Sequence, residues 1–364
     1  MFNRILVPLD GSSLAERAIP HAEQFARIFG SSIILLQVLD PTSYHENHNP
    51  IDPLSWQIRK TEADMYMNAI AVRVRENLGE DTVEAKSLPT ANAQSGDMKM
   101  SRVEYSIREG KTAENIVNFA QAENIDLLVV STHGAGGLSR WNISSVTQKV
   151  INLIYLSVLI VRAYNLPETE NAQIRYHRIL LPIDSSRRAE CSLSAGLALA
   201  RGEKLMGLAS EDGNSSPDQA LPAAAKPQPK LILAAVIKPP ELPVPEPYPA
   251  EIDKLSNQVL RVSHEAVNNY LNGMKERLDV ECETCVVENN SVTSTIHELV
   301  IRENIDLVVV CAHGYTGQTT WPYGSVTRNY MEHGTQSVLV IQDVRRSQVQ
   351  PTAAEIAAEK SGDR

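Results

Sequence analysis

Three stretches of this chain occur twice. Arg-Ile-Leu-Val-Pro-Leu-Asp at residues 4–10 returns as Arg-Ile-Leu-Leu-Pro-Ile-Asp at residues 178–184. Residues 123–134 return at residues 303–314 with the final His-Gly pair unchanged, and residues 157–161 match residues 337–341. Because both ends of the repeated unit are copied, the sequence predicts two homologous domains in one chain.

The length of 364 residues fits two domains. The repeats predict a first domain at residues 1–164, a linker at 165–175, a second domain at 176–343 and a mobile tail at 344–364. Each copy also carries an insert, at residues 87–102 in the first and at residues 205–229 in the second. The second insert, with several Ala and Pro residues, has a composition typical of a flexible surface segment, and the first is a polar stretch. Composition assigns neither insert a role.

Short β-branched runs alternate with helix-length amphipathic segments in each copy. In the first copy we predict strands at 4–9, 32–38, 103–108, 125–131 and 157–161, with helices at 13–29, 54–79, 112–123 and 145–153. Such alternation predicts an α/β fold with a parallel sheet covered by helices on both faces. In the first helix, Ser13 and Glu16 have the spacing of a capping box, and Pro20 should introduce a kink.

Composition disfavours several classes of partner. The 34 basic and 44 acidic residues give a net charge of −10, so we expect neither nucleic acid nor an anionic membrane surface as a partner. We find neither a signal peptide nor an apolar run approaching the roughly 20 residues that cross a bilayer. Four cysteines in a chain of this length favour reduced thiols and a cytoplasmic location.

Polar residues and glycines follow two predicted strands of each copy. Asp10 comes at the end of the first strand, and His133-Gly134 follows the fourth. Asp184 and His313-Gly314 occupy the same places in the second copy. Ligands of open parallel sheets bind beyond the carboxyl ends of the strands, and glycine loops that lead into a helix N-terminus suit phosphate groups. We therefore expect each aspartate to lie near the glycine of its own copy.

These residues resemble the universal stress protein family. Its loop signature is Gly, two residues, Gly, nine residues, Gly, then Ser or Thr, and the second copy supplies Gly314, Gly324 and Ser325. The resemblance covers nearly the whole chain twice. It implies two doubly wound five-stranded parallel-sheet domains, adenine nucleotide alpha hydrolase-like, with strand order 3-2-1-4-5. It also implies ATP binding in some members, with Mg²⁺ accompanying the nucleotide.

The two copies depart from the family signature to different degrees. Ser131 and Ser144 replace the first and third glycines in the first copy, whereas only Cys311 replaces a glycine in the second. Each added side chain stands where the backbone should approach the nucleotide, so the second copy is the better candidate. It nevertheless has Ser185 where the first copy has Gly11, and it lacks a counterpart of Arg140.

Carried over residue by residue, the resemblance implies a nucleotide site in each copy. In the second copy the adenosine side would be Pro182, Asp184, Val236 and Val310, and the phosphate side would be Gly314, Gly317, Gly324, Ser325 and Val326. The first copy would use Asp10, Val38, Val130, Gly134, Gly137, Ser145 and Val146. An alternative is that these residues only form tight turns, with Asp10 and Asp184 capping the following helices.

The resemblance implies a stress-response regulatory module that responds to an adenine nucleotide. The alternative is a nucleotide-free scaffold that acts through an unknown protein partner. No phosphate-binding Gly-x4-Gly-Lys loop is present, so catalysis would be limited to slow ATP hydrolysis. The family usually pairs through its fifth strands, here residues 157–161 and 337–341, so we expect an internal pseudo-dimer and leave further homo-oligomers open.

Three further features support narrower expectations. Cys282 and Cys285 have metal-ligand spacing, but they lie in a strand-like run without a second pair, so we predict no metal site. Gly110 and its counterpart Asn290 are both residues that tolerate a left-handed backbone. Trp141 and Trp321 are equivalent, and packing beneath the loop is favoured over a lid above a ligand.

Overall fold

The computed structural model describes residues 1–41, 52–80, 101–134, 143–164, 174–209, 229–240, 249–315 and 321–344, with backbone alone at 203–209. Most of both predicted inserts, most of the predicted linker and nearly all of the predicted tail lie outside these residues. No helix within the described ranges combines the length and apolar character that a bilayer crossing requires.

The first repeat contains five strands and five helices among the described residues. They are β1 (Arg4–Leu9), α1 (Ser13–Glu16), α2 (Ile19–Phe29), β2 (Ser32–Leu39), α3 (Pro53–Asn77), β3 (Val103–Glu109), α4 (Thr112–Ala122), β4 (Leu127–Ser131), α5 (Ser145–Leu153) and β5 (Ser157–Val161). Apart from the first helix, these elements occupy the predicted places with small differences at their ends.

The second repeat follows the same order, except that the single helix α6 stands in place of α1 and α2. It contains β6 (Arg178–Pro182), α6 (Cys191–Ala209), β7 (Lys230–Ile237), α7 (Ala250–Lys275), β8 (Glu281–Glu288), α8 (Val292–Arg302), β9 (Leu307–Cys311), α9 (Ser325–His333) and β10 (Ser337–Ile341).

The prediction of one helix over residues 13–29 is wrong. The chain forms α1 and then a separate α2, whose first turn contains Pro20. Proline is well accommodated there because the first amides of a helix have no intrahelical acceptor. The cap of α1 is also one residue earlier than predicted, since the hydroxyl of Ser12 accepts the hydrogen bond from the amide of Ala15.

The sheet confirms the predicted fold class. Its order is β3-β2-β1-β4-β5-β10-β9-β6-β7-β8, which places the order 3-2-1-4-5 on each side of the β5–β10 contact. The strand pairs within each repeat are parallel. Two apolar clusters cover the two faces of this sheet. Helices α1, α2, α3, α6 and α7 contribute to one cluster, and α4, α5, α8 and α9 contribute to the other.

The two repeats meet through β5 and β10, which pair antiparallel with Leu159 opposite Leu339. The hydroxyl of Ser157 accepts a hydrogen bond from the amide of Gln342 at 3.1 Å, and that of Ser337 accepts one from the amide of Arg162 at 3.4 Å. Because this central pair is antiparallel, the strands of the two repeats run in opposite directions. Their carboxyl ends therefore lie at opposite edges of the sheet.

Arg162 fastens this junction from the end of β5. Its guanidinium, in a residue only 3% exposed, donates to the carbonyls of Tyr330 and Met331 at 2.8 Å each and to that of Gln336 at 3.3 Å. Gly334 permits this approach, because a Cβ there would lie 2.9 Å from Arg162 Nη2 and 2.5 Å from the Tyr330 carbonyl. A buried arginine thus satisfies carbonyl groups near the end of α9.

Replacing Arg162 with alanine should destabilise the chain by about 3 kcal/mol, because two buried carbonyls and one partly buried carbonyl lose their charged donor. The matched control is Gln342→Ala, at the equivalent position after β10, where a neutral amide donates to the Pro322 carbonyl at 3.0 Å. Urea unfolding of both variants measures the difference. If Arg162→Ala lowers the free energy of unfolding by no more than Gln342→Ala does, this account of the junction is contradicted.

Candidate functional site

In each repeat the aspartate after the first strand lies against the glycine after the fourth strand. A Cβ built on Gly134 would collide with Asp10 Oδ2, and one built on Gly314 would lie 2.5 Å from Asp184 Oδ2. Any larger residue would have to displace the carboxylate. The structure therefore brings these predicted residues together, and the close approach gives a steric reason for glycine at both positions.

The carboxylate of Asp184 connects two loops of the second repeat. Its Oδ1 accepts a hydrogen bond from the amide of Ser186 at 3.0 Å, and its Oδ2 accepts one from the amide of Tyr315 at 2.6 Å. In the first repeat Asp10 Oδ1 accepts from both the amide and the hydroxyl of Ser12. The residue that caps α1 is Ser12, not Asp10. Asp10 instead fixes the position of Ser12 through these two hydrogen bonds. Both aspartates are exposed at the sheet edge.

The residue after each aspartate has a left-handed backbone. Gly11 has φ +83°, and Ser185 has φ +61° at the equivalent position. The expectation for Asn290 is wrong: Gly110 has φ +115°, but the described asparagines with positive φ are Asn124 and Asn304. These two follow α4 and α8, where a left-handed residue lets the chain leave the helix.

Replacing Ser185 with glycine should stabilise the chain by about 0.5–1 kcal/mol, because glycine adopts this backbone without steric strain. The reciprocal control, Gly11→Ser in the first repeat, should cost about 1 kcal/mol from the backbone alone. A side chain there has room, since the nearest atom to a built Cβ is 4.0 Å away. The denaturant midpoints of the two variants test these values. Destabilisation by Ser185→Gly would show that the Ser185 hydroxyl contributes more to stability than its left-handed backbone costs.

Helices α5 and α9 begin beside these tips in the same way but with different caps. The amide of Ser144 donates to the Thr132 carbonyl, and that of Gly324 donates to the Ala312 carbonyl, each at 2.8 Å. The Ser144 hydroxyl then caps α5 by accepting from the Thr147 amide at 3.1 Å. Gly324 has no side chain that could cap α9, and α9 has no side-chain cap within the described part of the chain. The first-turn amides of α9 therefore lack the cap that α5 has.

His313 fixes the loop of the second repeat. Its Nδ1 bonds Asp343 Oδ1 at 2.6 Å, its Nε2 bonds the Trp321 carbonyl at 2.8 Å, and Arg188 pairs with the same aspartate at 3.0 Å. Both ring nitrogens face acceptors, and only the protonated ring donates from both. Burial lowers the pKa of His313, but the bonds to Asp343 and the Trp321 carbonyl outweigh burial and raise it above 6.5.

Asp343 responds in the opposite direction. Burial raises its pKa, but the hydrogen bond and charge of His313, together with Arg188, hold it below its ordinary value of 3.8. The pair is therefore fully charged between the ordinary pKa values of 3.8 and 6.5. Its contribution to stability is lost as pH falls through the Asp343 pKa or rises through the His313 pKa.

His313→Gln should lower the free energy of unfolding most between pH 3.8 and 6.5, where both partners are charged, and by less as pH rises through the raised pKa of His313. The test measures the urea midpoints of the variant and the parent at several pH values and follows the difference between them. His333→Gln controls for removal of an exposed histidine. A difference between variant and parent that grows steadily as pH rises above 6.5 would contradict the assigned direction of the His313 pKa shift.

The remaining predicted residues lie around the same tips. Pro182 ends β6, while Val236 in β7 and Val38 in β2 are partly exposed. Val310 and Val130 are buried in β9 and β4. Ser145, Val146, Ser325 and Val326 are exposed in the first turns of α5 and α9. Gly137 and Gly317 lie outside the described residues, as do Arg140 and Trp141.

Two aromatic residues border the segment 316–320 of the second loop. Trp321 is 60% exposed and Tyr315 is 84% exposed, so the expectation that Trp321 packs beneath the loop is wrong. Its backbone carbonyl, not its ring, is held by His313. The ring is left accessible at the sheet edge.

The structure also places residues that the sequence analysis did not foresee. Asp343 joins His313 from the end of the repeat, and the Sγ atoms of Cys191 and Cys311 lie 3.0 Å apart. Neither contact has a local sequence signal, because its members lie on elements far apart in the chain. Cys282 and Cys285 belong to opposite faces of β8, and no group of three potential metal ligands occurs among the described residues.

Comparison with known proteins identifies the family. Residues 1–162 and 205–342 match the Universal stress protein family, so the match covers the first repeat and most of the second. The chain belongs to the universal stress protein family. It is 27% identical to a universal stress protein of Methanocaldococcus jannaschii over 162 residues, covering 44% of this chain and 83% of that protein.

Solved structures have a similar fold over most of the chain. A universal stress protein from Archaeoglobus fulgidus covers 94% of this chain and 100% of its own, with 14% identity and a TM-score of 0.54. A putative universal stress protein from Pseudomonas aeruginosa covers 93% of each chain, with 14% identity and a TM-score of 0.56. At this identity the likeness concerns the fold.

Proposed function

We propose that this universal stress protein is a regulatory module that binds ATP or another adenine nucleotide in its second repeat. The observation that carries the proposal is the difference between the two helix starts. Ser144 caps α5 with its own side chain, whereas Gly324 makes no such cap at α9 within the described residues. The N-terminal amides of α9 are therefore better suited to receive the phosphates.

The residues around Gly324 fit a nucleotide. A Cβ on Gly324 would lie in ordinary contact with the Ala312 carbonyl, at 3.4 Å, so a side chain would fit here but would occupy space beside the start of α9 that glycine leaves free. Asp184 holds the Tyr315 amide, which orders the start of the loop, and lies where the resemblance puts the adenosine side. Pro182, Val236 and Val310 would line that side, and Gly314, Gly317, Ser325 and Val326 would lie near the phosphates. Mg²⁺ would accompany ATP at its phosphate oxygens.

The first repeat is a weaker nucleotide candidate. The Ser144 hydroxyl already satisfies the Thr147 amide, and it would have to be displaced by a phosphate. On this proposal Asp10 and Gly134 serve the turns at the strand ends, Val38 and Val130 serve strands β2 and β4, and Ser145 and Val146 serve the first turn of α5. We accordingly propose one nucleotide per chain. We also propose that the protein acts in the cytoplasm, without a nucleic acid or membrane partner, and that it regulates through nucleotide occupancy rather than turnover.

Gly324→Ser should give α9 the cap that α5 has and weaken ATP binding. A serine cap is worth about 1 kcal/mol, which corresponds to about fivefold in affinity if the nucleotide must displace it. Gly324→Val, which adds a branched side chain at this corner, should abolish binding. The matched control is Ser144→Gly, which leaves the second repeat unchanged.

Calorimetric titration of the full chain with Mg-ATP measures affinity and stoichiometry, and native mass spectrometry shows any nucleotide retained through purification. Thermal unfolding without nucleotide separates lost binding from lost folding, because Gly324→Ser should not destabilise α9. Unchanged affinity in both Gly324 variants would place the pocket elsewhere.

A nucleotide-free scaffold is the second candidate, and a surface of α7 favours it. Leu255, Val259 and Val262 lie three or four residues apart on this helix and are 54%, 44% and 53% exposed. Such a row suits an apolar protein partner. If no nucleotide copurifies and millimolar ATP leaves the melting temperature unchanged, the scaffold replaces the nucleotide module.

A further inference from the structure

Two cysteines meet beside the candidate site of the second repeat. Cys191 is the first residue of α6 and Cys311 is the last residue of β9, and their Sγ atoms lie 3.0 Å apart. They are separated by 120 residues in sequence, so the fold alone brings them together. A disulfide has an S–S distance near 2.0 Å, so bonding requires an approach of only about 1 Å.

The surroundings of the two thiols differ. Cys311 is 7% exposed, and the bond from Cys191, burial and the charge of Asp343 all raise its pKa. Cys191 is partly exposed and begins a helix of 19 residues. Of the two thiols, Cys191 is the more accessible to an oxidant from solvent. Cys191 is therefore placed to react with an oxidant first, with Cys311 positioned to attack second.

We propose that Cys191 and Cys311 form a reversible disulfide in response to hydrogen peroxide. The Cys191 thiolate attacks one peroxide oxygen, the O–O bond breaks, and the departing hydroxide takes a proton to become water. Cys191 is then a sulfenic acid. Cys311 loses its proton and attacks the Cys191 sulfur, so that the S–S bond forms, the S–O bond breaks and a second water leaves. Two thiols lose two electrons to one peroxide, and an external dithiol restores them by exchange.

The bond would join the two loops of the candidate site. Cys191 follows the loop that begins at Asp184, and Cys311 directly precedes the loop that contains Gly314. These loops are already connected through the Asp184 carboxylate and the Tyr315 amide. The repeat alignment places Arg17 and Ser131 at the corresponding positions of the first repeat, so the pair is specific to the second repeat.

The chain carries its own control pair. Cys282 and Cys285 lie in one strand, but Cys282 belongs to the apolar cluster on one face of the sheet and Cys285 packs against the cluster on the other. Side chains on opposite faces of a strand cannot bond without disrupting it. Spacing in the sequence would therefore predict a Cys282–Cys285 disulfide, whereas the distance in the structure predicts a Cys191–Cys311 disulfide.

The test treats the reduced full-length chain with stoichiometric hydrogen peroxide, without nucleotide, and maps its peptides by mass spectrometry under non-reducing conditions. The expected product is the Cys191–Cys311 peptide pair lighter by two hydrogens, which disappears on adding dithiothreitol. Cys285→Ser should leave it unchanged. Cys311→Ser should leave a sulfenic acid on Cys191 that dimedone traps, whereas Cys191→Ser should leave Cys311 reduced at the same dose.

A second measurement requires no variant. The oxidised chain should have a higher urea midpoint than the reduced chain, because the bond closes a long loop in the unfolded state. Persistence of both thiols at the stated dose, a Cys282–Cys285 link, or a link only between chains would overturn the proposal. Because no step uses ATP, these results are independent of nucleotide binding.

Discussion

The antiparallel contact between β5 and β10 is the constraint on which this molecule depends. Each repeat alone would end in an apolar edge strand with unpaired backbone groups, a surface prone to aggregation. Pairing the two edges makes one ten-stranded sheet, and Arg162 secures the junction by donating to carbonyls near the end of α9. The same contact places the carboxyl edges of the two repeats on opposite sides, so the two candidate sites are separate.

Within that symmetric frame, a few substitutions make the second site different from the first. At the helix start the second repeat has Gly324 where the first has Ser144. After the aspartate it has Ser185 in place of Gly11, and at the strand end it has Cys311 in place of Ser131. The first change removes a helix cap, the second adds backbone strain, and the third supplies a thiol beside Cys191. On the proposed function, one repeat of the duplicated fold would bind a ligand, while the other keeps a capped helix and an unstrained turn.

The loop of the second repeat is held by charge as well as by shape. His313 donates to Asp343 and to the Trp321 carbonyl, and Arg188 supports the same carboxylate. These bonds require a protonated ring, so the order of this loop is linked to pH. Nucleotide phosphates, protons and an oxidant would all act on one short stretch of chain at the ends of β6 and β9.

The sequence by itself determined the duplication and the α/β class, because repeated segments and alternating strands and helices can be read from the order of residues. The strand order followed from the resemblance to the family. The sequence also paired each aspartate with its glycine, since parallel strands end at a common edge. Two predictions from the sequence were wrong because they depend on local packing. The first helix is two helices rather than one helix kinked at Pro20, and Asn290 is not left-handed. Only the tertiary structure decided the partners of His313 and Cys311, because Asp343 and Cys191 reach them from elements distant in the chain.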